Sequence, residues 1–265
     1  MTKQINTDIF NTEANIRYDK YIFREISEDA YNENNINSFK SKIKNNQKIY
    51  RFAIELFSPV LTFYSNHYLK KFISEHYTDE SQTFLNLGSG NSIIDERVIN
   101  VDFFPYKNVD IVCDIENLPF KDNSIDVIAN IAVLEHVPNP ERVVQEIYRV
   151  LKPNGKVYSV MPFMQGFHAS PYDFSRRTYE GMKVLYKDFD IEEVKCIGGP
   201  TSGMLWIFQD WLAIILSFGI KKLHSILYIL IMLLTFPIKF LDFIFIHHPM
   251  AKNISSAFLV LAEKK

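Results

Sequence analysis

From residue 83 onwards, short runs rich in β-branched and aromatic residues alternate with helical or turn segments. Strands spaced this far apart need crossover connections instead of tight hairpins, so a mostly parallel sheet covered by helices is the expected layering. Seven strands are read, at 83–87, 98–101, 110–113, 125–130, 155–161, 191–197 and 256–261. The clearest helix follows the fourth. Asn139 caps it, Pro140 opens it, and Val143, Val144, Ile147, Val150 and Leu151 form its apolar stripe. Lys152-Pro-Asn-Gly155 then turns the chain into the fifth strand.

Residues 1 to about 48 are rich in Asn, Lys and Glu and are expected to hold one or two weak helices. Phe52, Leu56, Val60, Tyr64, Tyr68 and Phe72 then recur every four positions, which predicts helix over 50–77, divided in two by a cap at Ser58-Pro59. With 47% hydrophobic and 23% charged residues, the 265-residue chain can bury a sizeable core. Its net charge of -2 provides no basic field for nucleic acid, and no nucleic-acid partner is expected. Cys113 and Cys196 show neither disulfide-framework nor zinc spacing, so no metal is expected and both read as inert thiols. Residues 1–10 lack a secretory pattern, which leads to the expectation of a cytoplasmic chain.

Glycine is scarce, nine in all, which gives weight to the pair in Phe84-Leu-Asn-Leu-Gly-Ser-Gly90, a strand running into a turn. Asp102 closes the next strand, where a carboxylate can accept hydrogen bonds from a ribose diol. A second carboxylate, Asp114, follows the third strand within reach of an adenine amino group. A dinucleotide fingerprint does not fit, because Ile93 stands where G-x-G-x-x-G requires its third glycine.

Asn-Leu-Gly-Ser-Gly at 86–90, Asn-Val-Asp at 100–102, Asp114-Ile with Leu-Pro-Phe at 118–120, Asp-Asn-Ser-Ile-Asp-Val-Ile at 122–128, Val-Leu-Glu-His-Val at 133–137 and Arg-Val-Leu-Lys-Pro-Asn-Gly at 149–155 resemble, in order, the motifs of class I S-adenosylmethionine-dependent methyltransferases of the type-11 kind. The resemblance implies a Rossmann-like, seven-stranded, mostly parallel α/β sheet with helices on both faces. It also implies S-adenosyl-L-methionine as cofactor. Gly88, Ser89 and Gly90 would wrap its methionine half, Asp102 its ribose, Phe103 would lie beside the adenine, Asp114 and Ile115 would hold the adenine edge, and Asn130 would face the methionine end. Asn86 stands where such proteins often carry an acidic residue. Only residues 88–97 separate the first two strands, so the first helix is expected to be a single turn or absent, with an N-terminal helical cap helping to cover the cofactor.

Glu135-His136 follows the fourth strand, and His136 is a candidate general base. The segment 162–178 after the fifth strand is polar and aromatic and resembles a loop of methyltransferases linked to surface-polysaccharide synthesis. Two readings stand side by side. In one, His168 paired with Asp173 deprotonates a hydroxyl while Tyr172, Arg176 and Arg177 bind the acceptor. In the other, the segment merely leads into a helix capped by Thr178, and Asp173 pairs locally with an arginine.

Residues 212–246 carry only Lys221, Lys222, Lys239 and Asp242 as charges, and Ile-Leu-Tyr-Ile-Leu-Ile-Met-Leu-Leu at 226–234 has no polar face. A helix apolar all round belongs in a core or in lipid. The uncharged run 223–238 would be about 24 Å long as a helix, short of a hydrocarbon core of about 30 Å. The last strand must also rejoin the same sheet, which excludes a single crossing. Shallow or interfacial helices, with the three lysines at headgroup level and Pro237 as a break, are therefore expected. A subunit interface or a lid over the site is the alternative. The division expected is an N-terminal helical segment (1–80), a cofactor-binding core (81–204), an apolar helical insertion (205–250) and the last strand (251–265). The function expected is methyl transfer to a membrane-presented acceptor, a hydroxyl of a lipid-linked or surface glycan, by a protein peripheral on the inner membrane face. A non-catalytic, membrane-docked binding module of the same fold is the competing reading.

Overall fold

The seven strands read from the sequence form, and two more extend the sheet. The computed structural model describes residues 3, 5–26, 58–79 and 81–265. The strands are β1 (Asn15–Arg17), β2 (Lys20–Ile22), β3 (Phe84–Leu87), β4 (Ile99–Asp102), β5 (Ile111–Val112), β6 (Ile125–Ile131), β7 (Leu151–Pro162), β8 (Asp190–Gly198) and β9 (Ala257–Glu263). Their order across the sheet is β1-β2-β5-β4-β3-β6-β7-β9-β8. Neighbours from β2 to β7 run parallel, and β9 lies antiparallel between β7 and β8. The order reverses between β3 and β6, the switch point where open α/β sheets bind ligands beyond the strands' carboxyl ends.

Nine strands instead of seven is a correction. Tyr18 and Asp19 adopt φ of 54° and 60°, a two-residue turn whose twist suits a hairpin, so β1 and β2 pair antiparallel where weak helix was expected. β2 is buried along its length because it pairs in parallel with β5. Its Lys20 ammonium donates to the Val109 carbonyl at 2.7 Å. The expected N-terminal helical cap is therefore, over residues 5–26, a 3₁₀ turn (Thr7–Ile9) and a hairpin that lengthens the sheet. The rest of the predicted weak helices and the first part of the predicted helix 50–77 lie outside the described residues.

Helix α1 (Thr62–His76) starts later than Ser58-Pro59 predicts. The Ser58 hydroxyl accepts from the Val60 N–H at 3.1 Å, a local turn that competes with helix and leaves Leu61 at the cap. α1 packs Phe72 and Ile73 against Phe84 and Tyr158 on one face of the sheet. The opposite face carries α2 (Pro140–Val150), capped by the Asn139 side chain, and α3 (Tyr179–Leu185), capped by the Thr178 hydroxyl. Both caps are where the sequence puts them.

Between β8 and β9 the chain forms α4 (Pro200–Ser217), α5 (Lys221–Thr235), a 3₁₀ segment (Phe236–Leu241) and α6 (Asp242–Phe245). α4 and α5 make a hairpin whose turn, Phe218 and Gly219, has φ of 48° and 80°. Gln209 donates to the Thr235 hydroxyl at 2.7 Å, and Asp210 lies 3.1 Å from His224, so polar contacts clip the two helices together. Trp211, Ile214, Ile229, Leu230 and Leu234 stay exposed. The run Lys221–Phe245 is long and apolar enough, by length and composition, to cross a bilayer. That is more than the sequence suggested, because the helical run continues past Lys239 and Asp242, both of which are buried against the protein. Lys239 is therefore not at headgroup level. Its ammonium donates to the Ser58 carbonyl at 3.1 Å and lies over the Phe236 ring. Tyr64 of α1 also reaches this region, donating to the Phe243 carbonyl at 3.2 Å.

Asp242 is fully buried. One of its oxygens accepts from the Thr201 N–H and the other from the Ser202 N–H, both at 2.8 Å, and the Ser202 hydroxyl donates at 2.6 Å. The carboxylate thus caps α4 from the far end of the insertion, where the helix dipole favours a negative charge. Gly199 leaves room for it, since a Cβ there would lie 2.2 Å from the Asp242 carboxyl carbon. Asp242→Ala should destabilise the protein by about 2–4 kcal/mol, because buried donors lose their acceptor. Chemical denaturation followed by circular dichroism measures this, and a loss below about 0.5 kcal/mol, the scale of an ordinary surface substitution, would show the cap to be dispensable.

Candidate active site at the carboxyl edge of the sheet

Gly88 and Gly90 follow β3 with φ of +65° and +54°, values that side chains rarely adopt. A Cβ on Gly88 would also fall 2.5 Å from Val133, whereas one on Gly90 would meet nothing within 4 Å. The turn is thus closed on one side and open on the other. Asp102, at the end of β4, fixes it. One carboxylate oxygen accepts from the Gly90 N–H at 2.7 Å and the other from the Phe104 N–H at 2.8 Å. Burial pushes the Asp102 carboxyl up, against the backbone donors that pull it down. The Ser89 hydroxyl is buried and has no hydrogen-bond partner among the described residues.

As predicted, no helix forms over residues 88–98. A cavity of about 530 Å³ lies there between α1 and the sheet, lined by Ser65, Asn66 and Leu69 of α1, Ser89 and Ile93 of the turn, and Gln165. Gly88, Ser89, Gly90 and Asp102 therefore come together. The residues expected around adenine are more dispersed. Phe103 is 40% exposed, and the Arg24 guanidinium lies 3.6 Å from its ring centre while donating to its carbonyl at 2.9 Å. Asp114 is exposed and accepts from the Glu116 N–H at 2.9 Å. Ile115 packs in the core. Asn130 does not face the cavity. It is fully buried, donates to the Tyr186 hydroxyl at 3.4 Å and accepts from the Ser159 hydroxyl at 2.7 Å. Asn86 donates to the Asn100 side chain at 3.1 Å.

The segment after β7 folds against the turn after β6. The pairing expected of His168 with Asp173 is through the His168 backbone N–H, which donates to Asp173 at 2.8 Å, while the ring nitrogen stands 3.9 Å away. Asp173 belongs to Arg176, whose guanidinium contacts both carboxylate oxygens and holds the acid down at about 2. Arg176 is thereby occupied, and it also donates to the Gly166 carbonyl at 3.0 Å. Arg177 pairs with Glu141 on α2. Tyr172 is 64% exposed, and its carbonyl lies 2.6 Å from His136 Nδ1. These contacts correct the readings of His168 and Asp173 as a dyad and of Arg176 and Arg177 as acceptor clamps.

Both imidazoles instead turn Nε2 towards Glu135, His136 at 3.7 Å and His168 at 3.8 Å. Glu135 is fully buried, and its oxygens have no hydrogen-bond partner among the described residues. The nearby carboxylate raises the His168 pKa, against the effect of burial. The Trp206 ring of α4 stacks on His168 with centres 6.4 Å apart. Sequence reasoning noticed the Glu-His pair but missed Glu135 as a site residue, because nothing local reveals its burial. Arg24 and Trp206 were missed because their elements arrive from remote parts of the chain.

Residues 64–159 match a family profile described as a methyltransferase domain. A sterol 4-C-methyltransferase of Caenorhabditis elegans is 44% identical over 46 residues, 17% of this chain and 14% of that protein. A ubiquinone/menaquinone biosynthesis C-methyltransferase of Rickettsia prowazekii is 29% identical over 119 residues, 42% of this chain and 43% of its own length. The chain therefore spans less than half the length of these curated relatives. A solved Galdieria sulphuraria structure, assigned as a sarcosine dimethylglycine methyltransferase, is similar with TM-score 0.50 at 13% identity, covering 84% of this chain and 98% of that one. At such identity the likeness speaks for the fold. Together these findings support a domain of the class I methyltransferase type.

Asp102→Ala removes the acceptor that closes the glycine turn and the carboxylate expected at the ribose. It should weaken S-adenosylmethionine binding at least tenfold, about 1.4 kcal/mol, by titration calorimetry. Unchanged affinity in a folded variant would detach Asp102 from cofactor binding.

Proposed function

We propose that the chain is an S-adenosylmethionine-dependent methyltransferase acting on an apolar acceptor drawn from a membrane surface. The observation that carries the cofactor reading is the glycine turn itself. Two positive-φ glycines open on one side, the Asp102 carboxylate that fixes them, and a buried Ser89 hydroxyl left without a partner adjoin a cavity at the carboxyl edge. An orphaned buried hydroxyl costs stability unless a ligand completes it, so the residues present fit such a cofactor. Gly88, Ser89 and Gly90 would hold its methionine half, Asp102 its ribose, and Phe103 with Asp114 its adenine. The bound cofactor supplies a methyl group already activated on a sulfonium. What remains for the chain is to align the acceptor and exclude water. A cavity with α1 over it serves both ends.

The acceptor class rests on two supports. The insertion exposes Ile229, Leu230, Leu234 and many other apolar side chains, with Lys221 and Lys222 exposed at its turn, the composition of an interfacial helix pair. Relatives named for sterol and for ubiquinone/menaquinone biosynthesis carry out C-methylation. Both favour a lipid-soluble acceptor over the glycan hydroxyl expected from the sequence, for which no contact speaks.

The test combines calorimetry and sedimentation. The full chain should bind S-adenosylmethionine and sediment with anionic vesicles, and replacing Ile229, Leu230 and Leu233 with Ser should release it without loss of cofactor binding. A protein that stays in the supernatant as an oligomer, which the same substitutions dissociate, would make the insertion a subunit interface. Absence of cofactor binding in the folded parent would leave a non-catalytic binding module.

A further inference from the structure

We propose that Glu135, His136 and His168 form a binding site for one divalent transition-metal ion of the zinc class. The three residues come from two elements, the 3₁₀ turn after β6 (Leu134–His136) and the loop after β7. One ligand atom from each lies within 4.8 Å of the others. An ion about 2.0–2.2 Å from each donor sets two donors about 3.3–3.6 Å apart in tetrahedral geometry and at most about 4.2 Å apart, so the cluster, whose donors lie within 4.8 Å, would draw in when an ion seats. The two Nε2 to carboxylate separations, 3.7 and 3.8 Å, are too long for hydrogen bonds and fall within that span.

Two independent observations point to a ligand. The first is Glu135 itself, fully buried with neither oxygen hydrogen-bonded among the described residues and with the two imidazoles at ion-pair distance from Oε1, an arrangement that is expensive unless a cation completes it. The second is the orientation of the imidazoles. His136 Nδ1 lies 2.6 Å from the Tyr172 carbonyl, and His168 Nδ1 lies 3.1 Å from the Gly166 carbonyl. Each carbonyl accepts the Nδ1 proton, which leaves the Nε2 lone pair aimed at Glu135. Backbone carbonyls fix metal-bound histidines in this manner. Arg176 Nη2 also stands 3.1 Å from His168 Nδ1, but its two hydrogens already have oxygen acceptors in Asp173 at 2.8 Å and Gly166 at 3.0 Å. It therefore does not need the ring nitrogen as an acceptor.

Two histidines and a carboxylate suit zinc and, less tightly, cobalt. An ion there would tie the loop after β7 to the end of β6, and its remaining coordination position would be open to water or an acceptor oxygen. The inference does not depend on the methyltransferase reading.

Chelator-stripped full-length protein should be titrated with Zn2+ by calorimetry and with Co2+ by visible absorption. One Zn2+ per chain, a rise in Tm on adding it, and Co2+ bands of a nitrogen-ligated, four- or five-coordinate ion are expected. Glu135→Gln and His168→Asn should each weaken binding at least about 100-fold, since even outer-shell partners of a metal are worth 10–100-fold. His67→Asn, outside the cluster, should bind as the parent does. No stoichiometric binding by the folded parent, or affinity unchanged in Glu135→Gln and His168→Asn, would overturn the proposal. Should those variants unfold, diethyl pyrocarbonate labelling of the parent decides, with Zn2+ protecting His136 and His168 if the site is real and leaving both reactive if it is not.

Discussion

The pairing of Gly198 with Ala257 at the end of the β8–β9 ladder is the constraint to which the outer structure answers. Everything in the insertion leaves the sheet and returns to it at that point. The joint is tight: Ser256 N–H donates to the Gly198 carbonyl at 2.9 Å, and a Cβ on Gly198 would lie 1.9 Å from the Ser256 hydroxyl. A helical run long enough to span a bilayer is therefore anchored at both feet to one hydrogen-bonded pair. It can lie along a surface or dip into it as a hairpin, but it cannot put the sheet on one side and its own end on the other.

Shortening at the opposite side of the switch point has the reverse effect. Because no helix fills the crossover from β3 to β4, α1 is the roof of that face among the described residues and a cavity remains beside the glycine turn. Space at that place would ordinarily cost packing energy. Here it adjoins the groups best suited to hold a ligand. The sheet compensates at its edge, where β2 adds its buried residues to β5 and spares that strand from being the border.

The sequence revealed those parts of the fold that depend on local chemistry. The caps at Asn139 and Thr178, the glycine turn, the seven strands and the missing first helix all follow from residue type and spacing within a few positions. The β1–β2 hairpin did not, because Tyr21 and Ile22 become strand only by burial against β5, nearly a hundred positions away in the chain. Asp242 read as a charge interrupting an apolar run, and only the fold reveals it as the cap of a helix forty residues earlier. At the site, Gly88, Gly90 and Asp102 were legible as a motif. Glu135 was not, since its meaning lies in burial and in two imidazoles that converge from separate loops.

Lys239 gives the insertion a mechanical role as well as a chemical one. Its ammonium is held by the Ser58 carbonyl just ahead of α1, and Tyr64, in the first turn of that helix, is bonded to the Phe243 carbonyl of α6. Directly after Tyr64 and within the next two turns, the same helix lends Ser65, Asn66 and Leu69 to the cavity wall. The apolar hairpin is thus a handle whose grip is α6 and whose working end is the roof beside the glycine turn. The insertion and the chamber wall share one support, α1, reached by contacts that lie outside the sheet.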